Sequence, residues 1–284
     1  MIIDMHTHTF PEKIAARAIA GMERASRMSA CSDGLPETLT RSMRASGVYR
    51  SVLLPVATNV IQPGKLNRLA VEIDRHTGET GQIAFGAMHP DDPDWKSQLR
   101  FLHENGVRGI KLHPMYQGVA LDDIRYMRIV GEAARYDMLV TVHMGEDIGV
   151  PGPALGTPEN ALRLQKETGA RGLILAHLGG WKLWDRVLDC LVGAPVYMDT
   201  AFCFGETTVY PPDPRSAEER RLGETGQLLR IIRAHGTDRI LFGSDSPWTD
   251  PAAEIRKLRE LPLSEQDLDR ILGGNAARLL GMGE

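Results

Sequence analysis

The chain has few cysteines, no surplus of positive charge, no membrane-length apolar run and no linker, and each absence narrows what it can be. Its 3 cysteines, Cys31, Cys190 and Cys203, are odd in number and lack CxxC spacing. That argues against a disulfide framework or a zinc ribbon and fits a reducing cytoplasm. With 33 Lys and Arg against 37 Asp and Glu, the net charge is -4, which leaves no basic footprint for nucleic acid or for an acidic membrane surface. The expected partner is a small molecule, and a homo-oligomer is compatible with everything above. No apolar stretch approaches the ~20 residues needed to span a bilayer, and Asp4 inside the opening run is unlike a secretory leader. No Ser-, Gly- or Pro-rich linker, internal period or low-complexity tract divides the 284 residues, so a single domain over 1–284 is expected.

What is present is a series of short apolar runs at residues 2–6, 50–57, 82–88, 107–113, 138–143, 172–177, 195–200 and 239–245, with helix-compatible segments between them. Several are β-branched and nearly continuous, as in Leu139-Val140-Thr141-Val142, the pattern of parallel strands buried on both faces. Thr157-Pro158-Glu159-Asn160 offers an N-cap hydroxyl followed by Pro at the first helical position, and Gly169 supplies the stop. Gly47, Gly106 and Gly236 punctuate the chain in the same way before later runs. Alternation of eight strands with helices predicts an α/β fold of the (β/α)8 TIM-barrel type, whose active site gathers at the C-terminal ends of the strands. An open doubly wound sheet ranks behind it, because no GxGxxG follows the first run.

Histidines stand at that junction instead. Ile2-Ile3-Asp4-Met5-His6-Thr7-His8 ends in two imidazoles one residue apart, which a strand projects from one face together with Asp4. His143, His177 and Asp245 end later runs. An HxH pair alone is a weak signal, but five such groups as ordinary core residues would bury polarity at about 1–3 kcal/mol per unsatisfied group. Three imidazoles and one carboxylate instead make a nitrogen and oxygen site for one divalent ion, suited to zinc and able to accept manganese. Such a site with an open position lowers the pKa of bound water from about 15.7 towards roughly 7. His76, His103 and His235 lie near helix-ending glycines and read as solvated residues favoured by the helix dipole.

Asp4-Met5-His6-Thr7-His8, Gly109-Ile110-Lys111-Leu112-His113-Pro114, Val142-His143, Ala176-His177-Leu178-Gly179-Gly180, Gly243-Ser244-Asp245-Ser246-Pro247-Trp248 and the tail Asn275-Ala276-Ala277-Arg278-Leu279-Leu280-Gly281 together resemble the amidohydrolase superfamily. More narrowly, they resemble the metal-dependent hydrolase branch that includes aminocarboxymuconate-semialdehyde decarboxylase. The resemblance spans the whole chain. It implies that His6, His8, His143 and Asp245 hold the metal and that Asp245 also acts in catalysis. His177 is implied as a catalytic histidine off a single metal or, as in binuclear relatives, as a ligand of a second. Binuclear relatives also use a carboxylated lysine. Lys111 lies on the corresponding run, but its KxH setting differs from theirs, and one metal is favoured.

Lys111 and His113, two residues apart, share a face, so either could hold a substrate carboxylate, while Lys111 could equally neutralise Asp4 or Asp245. Asp199 is placed to orient a ligand histidine. His89 reads as structural, and Trp248 as packing more than as a pocket wall. The long segment 201–219 is expected to cover the pocket, with Phe202, Phe204 and Tyr210 as apolar walls and Arg215 or Arg220 attracting an anion, or else to serve an interface. Three functions follow: hydrolysis of a small carboxylated ester, lactone or amide; nonoxidative decarboxylation of an aromatic or muconate-type acid; or a binding module without catalysis. The complete set of ligand-type residues argues against the last.

Overall fold

The computed structural model describes residues 1–212 and 214–282. Among the described residues nine parallel strands run in chain order: β1 (Ile2–Thr7), β2 (Val48–Leu53), β3 (Gln82–Ala84), β4 (Gly86–Ala87), β5 (Gly109–Leu112), β6 (Leu139–Val142), β7 (Leu173–Leu175), β8 (Tyr197–Asp199) and β9 (Ile240–Leu241). Each pairs with the next in sequence, in the orders β1-β2-β3 and β4 through β9. The third apolar run supplies both β3 and β4, which are separated only by Phe85; Phe85 N still donates to Leu53 O at 3.0 Å. The other runs each yield one strand; β1 extends one residue past its run, and the rest are shorter than theirs because the ends turn into loops.

The ring closes between the two ends of the chain. Met5 N donates to Phe242 O, Asp245 N to His6 O and His8 N to Ser246 O, at 2.8, 2.8 and 2.7 Å, and Thr7 bridges Ser246 in parallel. Gly243 permits the approach, since a Cβ there would lie 2.9 Å from His6 Cβ. Ile3, Met5, Val52, Leu54, Ile83, Phe85, Leu139, Ile174 and Leu241 form one buried cluster with Ala276, Ala277 and Leu280 of the last helix and the residue after it. Side chains from opposite sides of a ring of strands meet this way across its interior. A second, larger cluster lies between the strands and the surrounding helices. The chain is a (β/α)8 TIM barrel.

The helices form where the local signals place them. Thr157 Oγ1 accepts from Asn160 N while the Asn160 side chain accepts from Thr157 N, and the helix Pro158–Thr168 ends at Gly169 with φ 64°. Such a cap is worth about 1 kcal/mol. His76 and His103 are exposed, as expected. His235 is not: it is 1% exposed, donates from Nε2 to Val196 O at 2.9 Å and accepts at Nδ1 from Gly193 N at 3.3 Å. A sequence shows its helix-terminal position but not the loop that folds over it.

Candidate metal centre

The chemistry-bearing side chains all leave strands at their C-terminal ends. His6 and His8 flank Thr7, the last residue of β1, while His113 and His143 directly follow β5 and β6. His177 comes two residues after β7, Asp199 ends β8 and Asp245 stands four residues beyond β9. Strict alternation along β1 is interrupted, because its register shifts between Asp4 and Thr7. At that shift Asp4 Oδ1 accepts from His6 N at 3.2 Å and from Ser244 N at 2.9 Å, so Asp4 ties the strand to the segment carrying Asp245. His177, Leu178, Phe202 and Asp245 hold positive φ, at 59°, 49°, 55° and 64°. Non-glycine residues in that region cost about 1–3 kcal/mol each, and such strain clusters at functional sites.

His6 Nε2, His8 Nε2 and an Asp245 oxygen lie within 4.8 Å of one another, with the Asp245 Oδ1 separations 3.5 Å from His6 and 3.2 Å from His8. Bonds of ~2.1 Å arranged tetrahedrally put ligand atoms about 3.4 Å apart, so these spacings suit one ion. His143 does not join that triple. Its Nδ1 faces His177 Nε2 at 3.0 Å, and its ring stacks on His113 at 4.1 Å between centroids.

The outer nitrogens decide which inner ones carry lone pairs. His8 Nδ1 faces Leu54 O at 2.9 Å, His143 Nε2 faces Glu146 O at 3.1 Å and His177 Nδ1 faces Ala201 O at 2.8 Å. Carbonyl oxygens only accept, so each of these nitrogens bears the hydrogen. His6 Nδ1 likewise donates to Asp199 Oδ2 at 2.9 Å, giving Asp199 the orienting role expected of it. Its other oxygen accepts from His177 N and Ala201 N. In the neutral rings, His6 Nε2, His8 Nε2, His143 Nδ1 and His177 Nε2 therefore all turn lone pairs inwards. Burial above all keeps His6, His143 and His177 neutral: it pushes His6 well below the ordinary histidine range, His143 to about 3 and His177 to about 4, with Lys111 adding to the first two and His143 to the third. For Asp245, burial favours protonation, and the carboxyl is held below its usual range only where a proton or cation is shared with the His6 and His8 edges that face it. Facing lone pairs at 3.0 and 3.2 Å repel unless a cation or proton lies among them. The donor set fits a divalent ion.

Lys111 is 1% exposed, and its Nζ donates to His6 Nε2 at 3.4 Å. Burial lowers its pKa to about 8 against the pull of Asp199 and Asp245. His113 accepts at Nδ1 from Tyr116 N at 3.3 Å and turns Nε2 towards Asp147 Oδ2 at 3.6 Å. Asp147 joins the site without a motif to mark it: its sequence signal is an acid four residues beyond His143 in a Gly-rich loop. His89 is buried and accepts from Asp91 N, a structural role. Trp248 is half-buried and packs against the core.

The segment 201–219 contributes Phe202, whose ring lies 6.5 Å from that of His177 and 5.7 Å from that of Trp181. Phe204 is buried and Tyr210 half-buried. The two arginines are engaged elsewhere than expected: Arg215 donates to Arg27 O, and Arg220 donates to Arg215 O at 2.5 Å and lies 3.6 Å from Glu206. Their charge closes the loop on itself and on the segment after the first helix.

The amidohydrolase family profile matches residues 3–282. Solved structures of similar fold include a dihydroxybenzoic acid decarboxylase from a Polaromonas species with bound manganese and the inhibitor 2-nitroresorcinol, at 17% identity and TM-score 0.68, covering 100% of this chain and 97% of that one. The 5-carboxyvanillate decarboxylase of Sphingomonas paucimobilis matches at 14% identity and TM-score 0.67, covering 99% of each chain. A Pseudomonas putida protein assigned as a 2-pyrone-4,6-dicarboxylic acid hydrolase matches at 18% identity and TM-score 0.65, covering 100% of this chain and 98% of that one. None of the curated proteins compared with the chain matches it.

Proposed function

Since this chain belongs to the amidohydrolase family, we propose that it hydrolyses a small carboxylated ester, lactone or amide at one divalent metal held by His6, His8, His143 and Asp245. Zinc suits these donors, and manganese is admissible. The observation that carries the reading is the protonation pattern of the four imidazoles, each anchored outside by an acceptor and presenting a lone pair inside. When bound, the ion supplies Lewis acidity towards water and carbonyl oxygen.

The chain's own groups do the rest. Asp245, an ionised carboxylate, accepts the proton of the attacking water. His177 Nε2, a lone pair at neutral pH, takes up that proton and delivers it to the departing oxygen or nitrogen. Lys111 attracts the substrate's carboxylate from within the barrel mouth, with His113 beside it. Phe202 provides an apolar flank next to His177 and limits water there.

That aromatic flank also favours a second reading, nonoxidative decarboxylation of an aromatic or muconate-type acid, the activity named for two of the neighbours. It needs a proton donor to carbon, which a neutral His177 lacks at rest. The deciding experiment presents the metal-loaded protein with a carboxylated pyrone and with 2,6-dihydroxybenzoate, following ring opening and carbon dioxide release, with and without chelator. Chelator-sensitive ring opening is the expected result. Carbon dioxide release alone would replace hydrolysis with the second reading, and neither activity in fully loaded protein would favour a binding module.

A further inference from the structure

Asp147 lies where the proposed reaction has no use for another negative charge. It belongs to the loop after β6, whose base is pinned on both sides: Gly145 N donates to Gly156 O at 2.7 Å and Glu146 N to Trp181 O at 3.1 Å. Gly145 is obligatory there, since at φ 86° a Cβ would lie 2.2 Å from Trp181 O. Beyond this base the chain turns, with Asp147 Oδ1 accepting from Gly149 N at 2.8 Å and Asp147 O from Val150 N at 3.3 Å. The turn aims Oδ2 at two imidazole edges, 3.6 Å from His113 Nε2 and 3.7 Å from His143 Nε2. The side chain is only 11% exposed.

Of those two edges, His143 Nε2–H is already given to Glu146 O. His113 Nε2–H is the remaining donor, because its Nδ1 accepts from Tyr116 N. A donor and an acceptor thus face each other beyond hydrogen-bond length, held apart by a pinned loop and by the stacking of His113 on His143. A second carboxylate placed between them would meet Asp147 as a like charge in a largely buried site. A hydroxyl satisfies both at once, accepting from His113 and donating to Asp147.

We infer that Asp147 is a specificity-determining residue: with His113 it receives a hydroxyl of the substrate, so the enzyme takes hydroxylated monocarboxylates and rejects dicarboxylates at this position. The inference rests on the proposed reading of Lys111 as the substrate-carboxylate group, and it divides the labour between Lys111 and His113. Lys111 takes the anion, and His113 with Asp147 takes the hydroxyl.

The test is equilibrium binding of 2-hydroxybenzoate and benzene-1,2-dicarboxylate to the metal-loaded protein near neutral pH. These probes differ only in the group beside the carboxylate. The wild-type protein should prefer the hydroxy acid by roughly tenfold or more, as expected when a buried polar pair is satisfied or opposed. Asp147→Asn should shrink that ratio to within about threefold, chiefly by strengthening dicarboxylate binding, because the amide retains the shape without the charge. Equal wild-type affinities for the two probes, or no binding of either, overturn the inference without recourse to any variant. A ratio unmoved by Asp147→Asn in protein with an unchanged unfolding transition overturns it too. Lys111→Gln separates the two layers of argument. Weakened binding of both probes upholds the carboxylate reading whatever Asp147 does, whereas unchanged binding of both removes that reading and this inference together.

Discussion

At the scale of single residues, orientation matters more than identity. His177 is held by three contacts at once: Nδ1 on Ala201 O, the backbone N–H on Asp199 Oδ1, and the backbone oxygen accepting from Trp184 Nε1. Its φ of 59° restricts what can replace it. Asparagine tolerates that conformation better than most residues, so His177→Asn removes the proton-relaying nitrogen with little backbone cost. The expected outcome is metal content close to wild type and turnover lowered roughly a hundredfold or more, read by metal analysis and steady-state kinetics on the same preparation. Parallel loss of metal would make His177 a ligand and move the centre towards two ions.

Among elements, the segment 201–219 and the helix Thr225–His235 illustrate two kinds of attachment. The segment begins beside the site, is fastened by Lys257 Nζ to Phe204 O at 2.9 Å, and docks its middle on residues 28 and 29 through the Met28–Val209 bridge and Ser29 Oγ to Val209 O at 2.8 Å. Shortening it between Thr208 and Pro212 should raise KM and lower turnover while leaving metal content and the unfolding transition nearly unchanged. Unaltered kinetics with separation of subunits on a sizing column would make it an interface element. The helix is attached by His235, whose pKa burial lowers to about 4, partly offset by the Val196 carbonyl. A histidine depressed below its ordinary value near 6.5 contributes stability that is full above that value and lost as pH falls towards about 4. Denaturant titrations at about pH 7.5 and about pH 4.5 should therefore show wild type losing roughly 2 kcal/mol more than His235→Gln over that interval. Equal losses would show that His235 is protonated in the folded chain.

For the whole molecule, the proposed ligands come from β1, from the end of β6 and from beyond β9, so one ion would tie the two ends of the ring to its far side. The seam between β1 and the segment after β9 rests on a few backbone hydrogen bonds and on Asp4 bridging to Ser244. An ion that binds only the folded chain adds about 2.7 kcal/mol at a hundredfold excess over its dissociation constant. In a barrel of this size, chelation should then lower the unfolding midpoint by roughly 5 °C or more, with recovery on adding zinc or manganese. A midpoint that ignores complete metal removal would show that the donors do not converge on a shared ion.

Hydrophobic runs, Pro at a first helical turn and Gly at a stop act through neighbouring residues alone, so the succession of strands and helices is legible in the sequence. The sequence also places histidines and Asp245 at strand ends, which a barrel must gather at one rim. It misjudged His235 and the direction of Arg215 and Arg220, whose partners lie in loops that sequence periodicity does not locate. Tertiary structure settles which nitrogen faces inwards on three of the rings, since Asp199, Leu54 and Ala201 reach His6, His8 and His177 from other strands and loops, whereas Glu146 meets His143 from three residues along the same loop. Tertiary structure alone brought Asp147 against His113. A side chain's chemical type is written locally, whereas its protonated atom and its opposing charge are set by whatever the closed barrel places within about 3–4 Å of it.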